Sequence, residues 1–142
     1  MTTRSAVHDT FRIERHFDAA PARVFRAFAD PTAKARWFPA AGSFEFREGG
    51  HETMSSEFDG KSFDYRATYT DIVTDERIVY TYEMSMNGDR ISVSVATIEL
   101  RPAGGGTDLV VTEQGVYLDG LDNAAQRRQG TEDLMDALAK SL

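Results

Sequence analysis

The chain has 142 residues, no cysteine and a formal net charge of −7, with a sequence pI of about 4.9. That length suits one domain with a core large enough to stand without staples, and the missing cysteines exclude disulfides and thiol chemistry. A net acidic surface without a Lys/Arg cluster argues against nucleic acid and against anionic membranes as partners. The opening MTTRSAVHDT has no apolar stretch and no run of about 18 apolar residues follows, so neither a signal peptide nor a span is expected and a cytoplasmic location is.

In chain order, residues 1–8 are polar and aperiodic and read as a loose terminus. Thr10 to Phe17 alternates, with Phe11, Ile13 and Phe17 apolar against Arg12, Glu14 and His16, which predicts a strand. Pro21 suits the first turn of a helix, where its missing N–H costs nothing, and Val24, Phe25 and Phe28 form its apolar stripe. Asp30-Pro31 stops that helix and starts another, with Asp30 as N-cap, lasting no further than Trp37-Phe38-Pro39. Two helices this short need packing against something larger.

A run of strands supplies it. Phe44 and Phe46 alternate with Glu45 and Arg47; Met54 and Phe58 share one side of the next strand, which ends at the hairpin signal Asp59-Gly60. Phe63, Tyr65, Ala67 and Tyr69 share one face, as do Ile78, Tyr80, Tyr82, Met84 and Met86, with Asn87-Gly88 as a two-residue turn. Ile91, Val93 and Val95 hold one parity and Ile98 and Leu100 the other, which places a bulge near Ala96-Thr97. Leu109 to Gln114 is the last strand. Leu134, Met135, Leu138 and Leu142 then form a helical stripe that starts best around Gly130-Thr131, with residues 122–129 left open because Gly130 weakens the middle. Short turns and close spacing mean an antiparallel meander: an α+β chain, one domain over 1–142, with about six to seven strands curved round a C-terminal helix.

The pieces Asp18-Ala19-Ala20-Pro21, Asp30-Pro31, Arg36-Trp37-Phe38, Glu48-Gly49-Gly50, the run from Asp75 to Tyr82 and Gly106-Thr107-Asp108-Leu109 occur in an order that resembles the helix-grip (START-like, Bet v 1-like, SRPBCC) fold. Within it the chain resembles the activator of Hsp90 ATPase homologue 1-like family, from about Phe11 to Leu142. The resemblance implies a cavity between sheet and closing helix, and it brings a chaperone-interacting role as one possible partner relationship. Two departures bear on the site. Gly130 is followed by Thr131 where members usually carry a tryptophan, which implies a wider cavity there, and Phe38 stands where many have a second tryptophan.

The inward-facing set is rich in Tyr, Phe and Met: Phe46, Met54, Phe58, Phe63, Tyr65, Tyr69, Tyr80, Tyr82 and Met84. Buried tyrosines need hydroxyl partners, so such a wall suits a partly wet pocket as well as a filled core. Glu113 shares parity with Leu109 and Val111; it either faces the pocket, with a raised pKa, or sits at the strand's wet end. Trp37 is placed at one mouth of the cavity or as a plug beneath the helices, and Leu134 and Leu138 come from the closing helix. His51 is read as a surface residue near the pocket mouth. Three scattered histidines leave no metal site, no cofactor motif occurs, and no nucleophile elbow or triad is present. The reading is a binding protein that encloses an apolar or aromatic small molecule. The alternatives are a polyketide cyclase/aromatase-type enzyme and a chaperone-interacting module.

Overall fold

The computed structural model describes residues 3–39 and 42–142. Seven strands form one antiparallel sheet in the order β1-β7-β6-β5-β4-β3-β2, so that only the first and last strands meet out of sequence. The strands are β1 (Ala6–Phe17), β2 (Ser43–Phe44), β3 (His51–Phe58), β4 (Lys61–Val73), β5 (Arg77–Met86), β6 (Asp89–Ala103) and β7 (Gly106–Leu118). Helices α1 (Pro21–Ala29) and α2 (Pro31–Lys34) join β1 to β2, and α3 (Ala124–Ser141) closes the chain. This is the helix-grip α+β arrangement.

Strand β1 starts at Ala6, several residues before the alternation becomes apolar, because pairing with β7 from Ala6↔Leu118 onward holds it in register. Part of the expected loose terminus is therefore strand; residues 1 and 2 lie outside the described residues. The two hairpin signals act as expected. Asp59-Gly60 and Asn87-Gly88 all have positive φ, the conformation a two-residue turn between twisted strands requires.

The bulge in β6 lies elsewhere than the alternation suggests. Met84 pairs with Ser92 and Ser85 with Arg90, so Ile91 is the extra residue. Ser92, Ser94, Ala96, Ile98 and Leu100 then face the helix, while Val93 and Val95 point outward at 38% exposure each. Val93 and Val95 are apolar yet face outward, whereas the residues buried opposite Tyr82 and Met84 are the small serines Ser94 and Ser92. A second bulge, at Thr70, shifts β4 against β5 between Tyr69 and Asp71.

The short helices are pinned at both ends. Asp30 caps α2 by accepting from the Ala33 N–H at 2.9 Å. Thr107 on β7 donates its hydroxyl to the carbonyl of Ala19 at 2.6 Å, and the Trp37 indole donates to the carbonyl of Ala27 at 2.8 Å. Val24, Phe25, Ala27 and Phe28 bury one face of α1 against Phe11, Ile13, Phe17 and Leu109 in a single cluster that also holds Met135 and Leu138. Helix α3 runs unbroken through Gly130, capped by Asn123, whose side chain accepts from the Gln126 N–H at 2.9 Å. Its basic residue near the C-terminus, Lys140, complements the helix dipole.

Candidate functional site

Between the sheet and α3 lies a cavity of about 560 Å³. It is lined by Trp37, Phe46, Met54, Phe58, Phe63, Tyr65, Tyr69, Tyr80, Tyr82, Met84, Glu113 and Leu134. Both long strands thus turn their Tyr/Met faces toward the helix. Phe58, 75% exposed at the tip of the β3–β4 hairpin, stands at the rim rather than in the wall. Leu138 departs from the sequence reading: it is 0% exposed and packs in the core, one turn beyond the part of α3 that lines the cavity. Trp37 touches the cavity, but it is also buried, edge-on to Phe28 at 4.9 Å and to Phe38 at 5.7 Å. It plugs the layer beneath the helices while presenting one side to the cavity. His51 lies on the opposite face of β3, against Thr68 at 3.2 Å.

Gly130 and Thr131 line the cavity from α3. A Cβ at Gly130 would meet nothing within 4 Å, so the helix passes this point without filling the space beside it. On the sheet side, Gly115 is needed: a Cβ there would stand 2.9 Å from Ser94 Oγ and 3.4 Å from the Tyr117 hydroxyl.

Two polar clusters interrupt the apolar wall. In the first, Arg127 of α3 donates through Nη1 to the Tyr82 hydroxyl at 2.8 Å and through Nη2 to Ser92 Oγ at 2.9 Å, and it forms an ion pair with Asp122. The Tyr82 hydroxyl in turn donates to Glu113 Oε1. Glu113 is only 4% exposed, and its other oxygen, Oε2, has no hydrogen-bond partner; nor has the neighbouring Ser94 Oγ. Burial raises the Glu113 pKa above the usual carboxylate range, with the Tyr82 hydrogen bond and the Arg127 charge partly opposing it.

In the second cluster Lys34 Nζ donates to Glu52 Oε1 at 2.6 Å, and the Tyr69 hydroxyl donates to the same oxygen at 2.7 Å. Lys34 also lies over the rings of Phe38 and Phe44, at 4.7 and 4.9 Å. Burial lowers the Lys34 pKa, and the Glu52 carboxylate opposes that shift. A row of tilted rings, Tyr69–Tyr80 at 5.7 Å and Tyr80–Tyr82 at 6.0 Å, joins the two clusters. Among the described residues no group of three or more His, Cys, Asp and Glu is placed to hold a metal ion, and no helix is long and apolar enough to cross a membrane.

Lys34, Glu52, Asp122 and Arg127 were not singled out from the sequence, though parity and spacing carried a signal. Glu52 lies two residues before Met54 on the same face of β3. Arg127 stands four and seven residues before Thr131 and Leu134, on the cavity-facing stripe of α3.

These features define a helix-grip protein with a cavity under its closing helix. The chain belongs to the activator of Hsp90 ATPase homolog 1-like protein family, whose model matches residues 18–142. It is similar to the Mll3558 protein from Rhizobium loti, with 43% identity over 97% of this chain and 99% of that one and a TM-score of 0.92. An uncharacterized protein from Rhizobium leguminosarum is 44% identical over 99% and 97%, also with a TM-score of 0.92. CalU16 from Micromonospora echinospora shares the fold at 19% identity, covering 99% and 85%, with a TM-score of 0.71. No curated protein matches the chain.

Proposed function

We propose that the protein encloses an apolar or aromatic small molecule between its sheet and α3. The observation that carries this reading is the cavity of about 560 Å³. That volume lies within the range of small-molecule sites, roughly 300–1,000 Å³, and so does the pattern of an aromatic wall with a few placed polar groups. Methionines at positions 54, 84, 86 and 135 give the wall an adaptable surface. Native mass spectrometry of protein purified from its own host tests the reading directly: a bound small molecule of defined mass supports it. Its absence, together with no rise in melting temperature across a panel of flat apolar compounds, overturns it, because a ligand that binds only the folded state must stabilise it.

A second reading, an acid–base enzyme of the cyclase/aromatase type, draws support from Glu113, a buried carboxyl of raised pKa in the cavity wall beside the Tyr82 hydroxyl. Against it, the cation nearest Glu113 already donates to Tyr82, Ser92 and Asp122, so the base has no free electrophile beside it to steady a developing oxyanion. A chaperone-binding role has weaker support: Val93 and Val95 put some apolar surface on the outer sheet face, far short of an extended patch.

A further inference from the structure

Apart from the exposed rim residues Asp59 and Lys61, the charges around the cavity come in pairs, with one left over. Lys34 is matched by Glu52 and Arg127 by Asp122, which leaves Glu113 without a cation of its own. The direction of the hydrogen bonds around it is fixed by the groups involved. A guanidinium has donors only, so the Tyr82 hydroxyl accepts from Arg127 and commits its single hydrogen to Glu113 Oε1. Oε2 is thereby the one carboxylate oxygen of this cluster with no donor, on a side chain that is 4% exposed and lines the cavity. Tyr65 and Met84 lie beside Tyr82 on the same wall, in reach of a flat ring.

We propose that Glu113 Oε2 accepts a hydrogen bond from a hydroxyl carried by the bound molecule, so that the cavity takes hydroxylated aromatic compounds in preference to their ethers or parent hydrocarbons. The inference rests on the ligand-binding reading above and deepens it by naming the ligand's polar end. A hydrogen bond to a buried acceptor discriminates strongly, because a ligand without the donor leaves that acceptor desolvated and unpaired.

The test is calorimetric titration of the full chain with three probes of one shape: 2-naphthol, 2-methoxynaphthalene and naphthalene. The wild type is expected to bind 2-naphthol about tenfold more tightly than 2-methoxynaphthalene, or better. Glu113→Gln keeps an oxygen to accept from Tyr82 but turns the free position into a donor. The preference is expected to vanish or to reverse toward the methoxy compound. Equal binding of hydroxyl and methoxy probes by the wild type overturns the inference and leaves the cavity reading intact. Failure of all three probes to bind overturns both. The wild-type comparison decides the matter even if the variant does not fold.

Discussion

The Tyr82 hydroxyl sits between a cation and an acid, accepting from Arg127 at 2.8 Å and donating to Glu113. One phenol oxygen thereby ties α3 to β5 and β7, since each of the three residues comes from a different element. Tyr82→Phe removes that link without changing the ring. It should cost about 1–3 kcal/mol, the penalty for leaving a buried acceptor unpaired, measured by urea unfolding at neutral pH. A loss below about 0.5 kcal/mol would mean that Arg127 and Glu113 find each other or solvent once the hydroxyl is gone.

The raised pKa of Glu113 makes stability depend on pH with a definite sign. The folded state holds this proton to higher pH than the unfolded chain, so between the unfolded carboxyl value of about 4.3 and the folded value the native state binds more protons. The contribution of Glu113 is therefore most favourable at and below the unfolded value and is lost as pH rises through the folded one. Tyr82, Arg127 and Asp122 are the polar groups that surround it. Glu113→Gln cannot ionise, so the stability of the variant relative to wild type should rise with pH across that window. Denaturation curves at pH steps from 4 to 8 read this directly, and a constant difference would show that Glu113 titrates normally.

Lys34 and Glu52 form the other buried pair, with Glu52 only 1% exposed. Glu52→Gln strands an ammonium group in an aromatic surround and should cost about 3–5 kcal/mol. Adding Lys34→Met removes the stranded charge and still leaves the glutamine oxygen to accept from Tyr69. The double variant is expected to recover most of the loss. A double-mutant cycle in urea measures the coupling, and additive costs would show that the pair is not desolvated in solution.

How much of this was legible beforehand depends on what each residue's neighbours were doing. The Tyr and Met faces of β4 and β5 could be read because aromatic and polar residues alternate there without interruption, and Asp59-Gly60 and Asn87-Gly88 fix where each strand turns. The bulge at Ile91 could not, because alternation on one strand is blind to the partner whose register defines the bulge. The same holds for the charged clusters. Lys34, Glu52 and Arg127 look like surface residues when taken singly, and only the tertiary pairing of α2 with β3 and of α3 with β5 makes their burial tolerable. Gly130 lowered the expectation of a continuous helix, but the Asn123 cap and the anchoring of Met135 and Leu138 outweigh one glycine's cost of about 1 kcal/mol.

Leu138 and Leu134 separate core from cavity on one helix. Leu138 is fully buried against the α1 cluster, so Leu138→Ala should cost about 2–5 kcal/mol. Leu134 is half-buried and borders open space, so its truncation enlarges an existing void instead of creating one and should cost less. Equal losses for the two variants, compared by thermal and urea unfolding, would mean that the cavity collapses in solution.

The space beside Gly130 and Thr131 offers the most direct manipulation of the site. Thr131 is half-buried, lines the cavity and makes only a local hydrogen bond, from its hydroxyl to the Arg127 carbonyl at 3.0 Å. Thr131→Trp should therefore place an indole in the cavity without displacing the core that Met135 and Leu138 form one and two turns further on. Burying that ring adds apolar area at about 25 cal/mol per Å², so the variant is expected to melt higher than wild type. It should also bind 2-naphthol at least tenfold more weakly, because the volume is taken. The two readouts guard each other. Weaker binding with a lower melting temperature would mean that the indole has disrupted the helix–sheet contact. Unchanged binding with a higher one would mean that the ring lies outside the volume that ligands use, and that the cavity beneath Tyr65 and Tyr82 alone is the binding site.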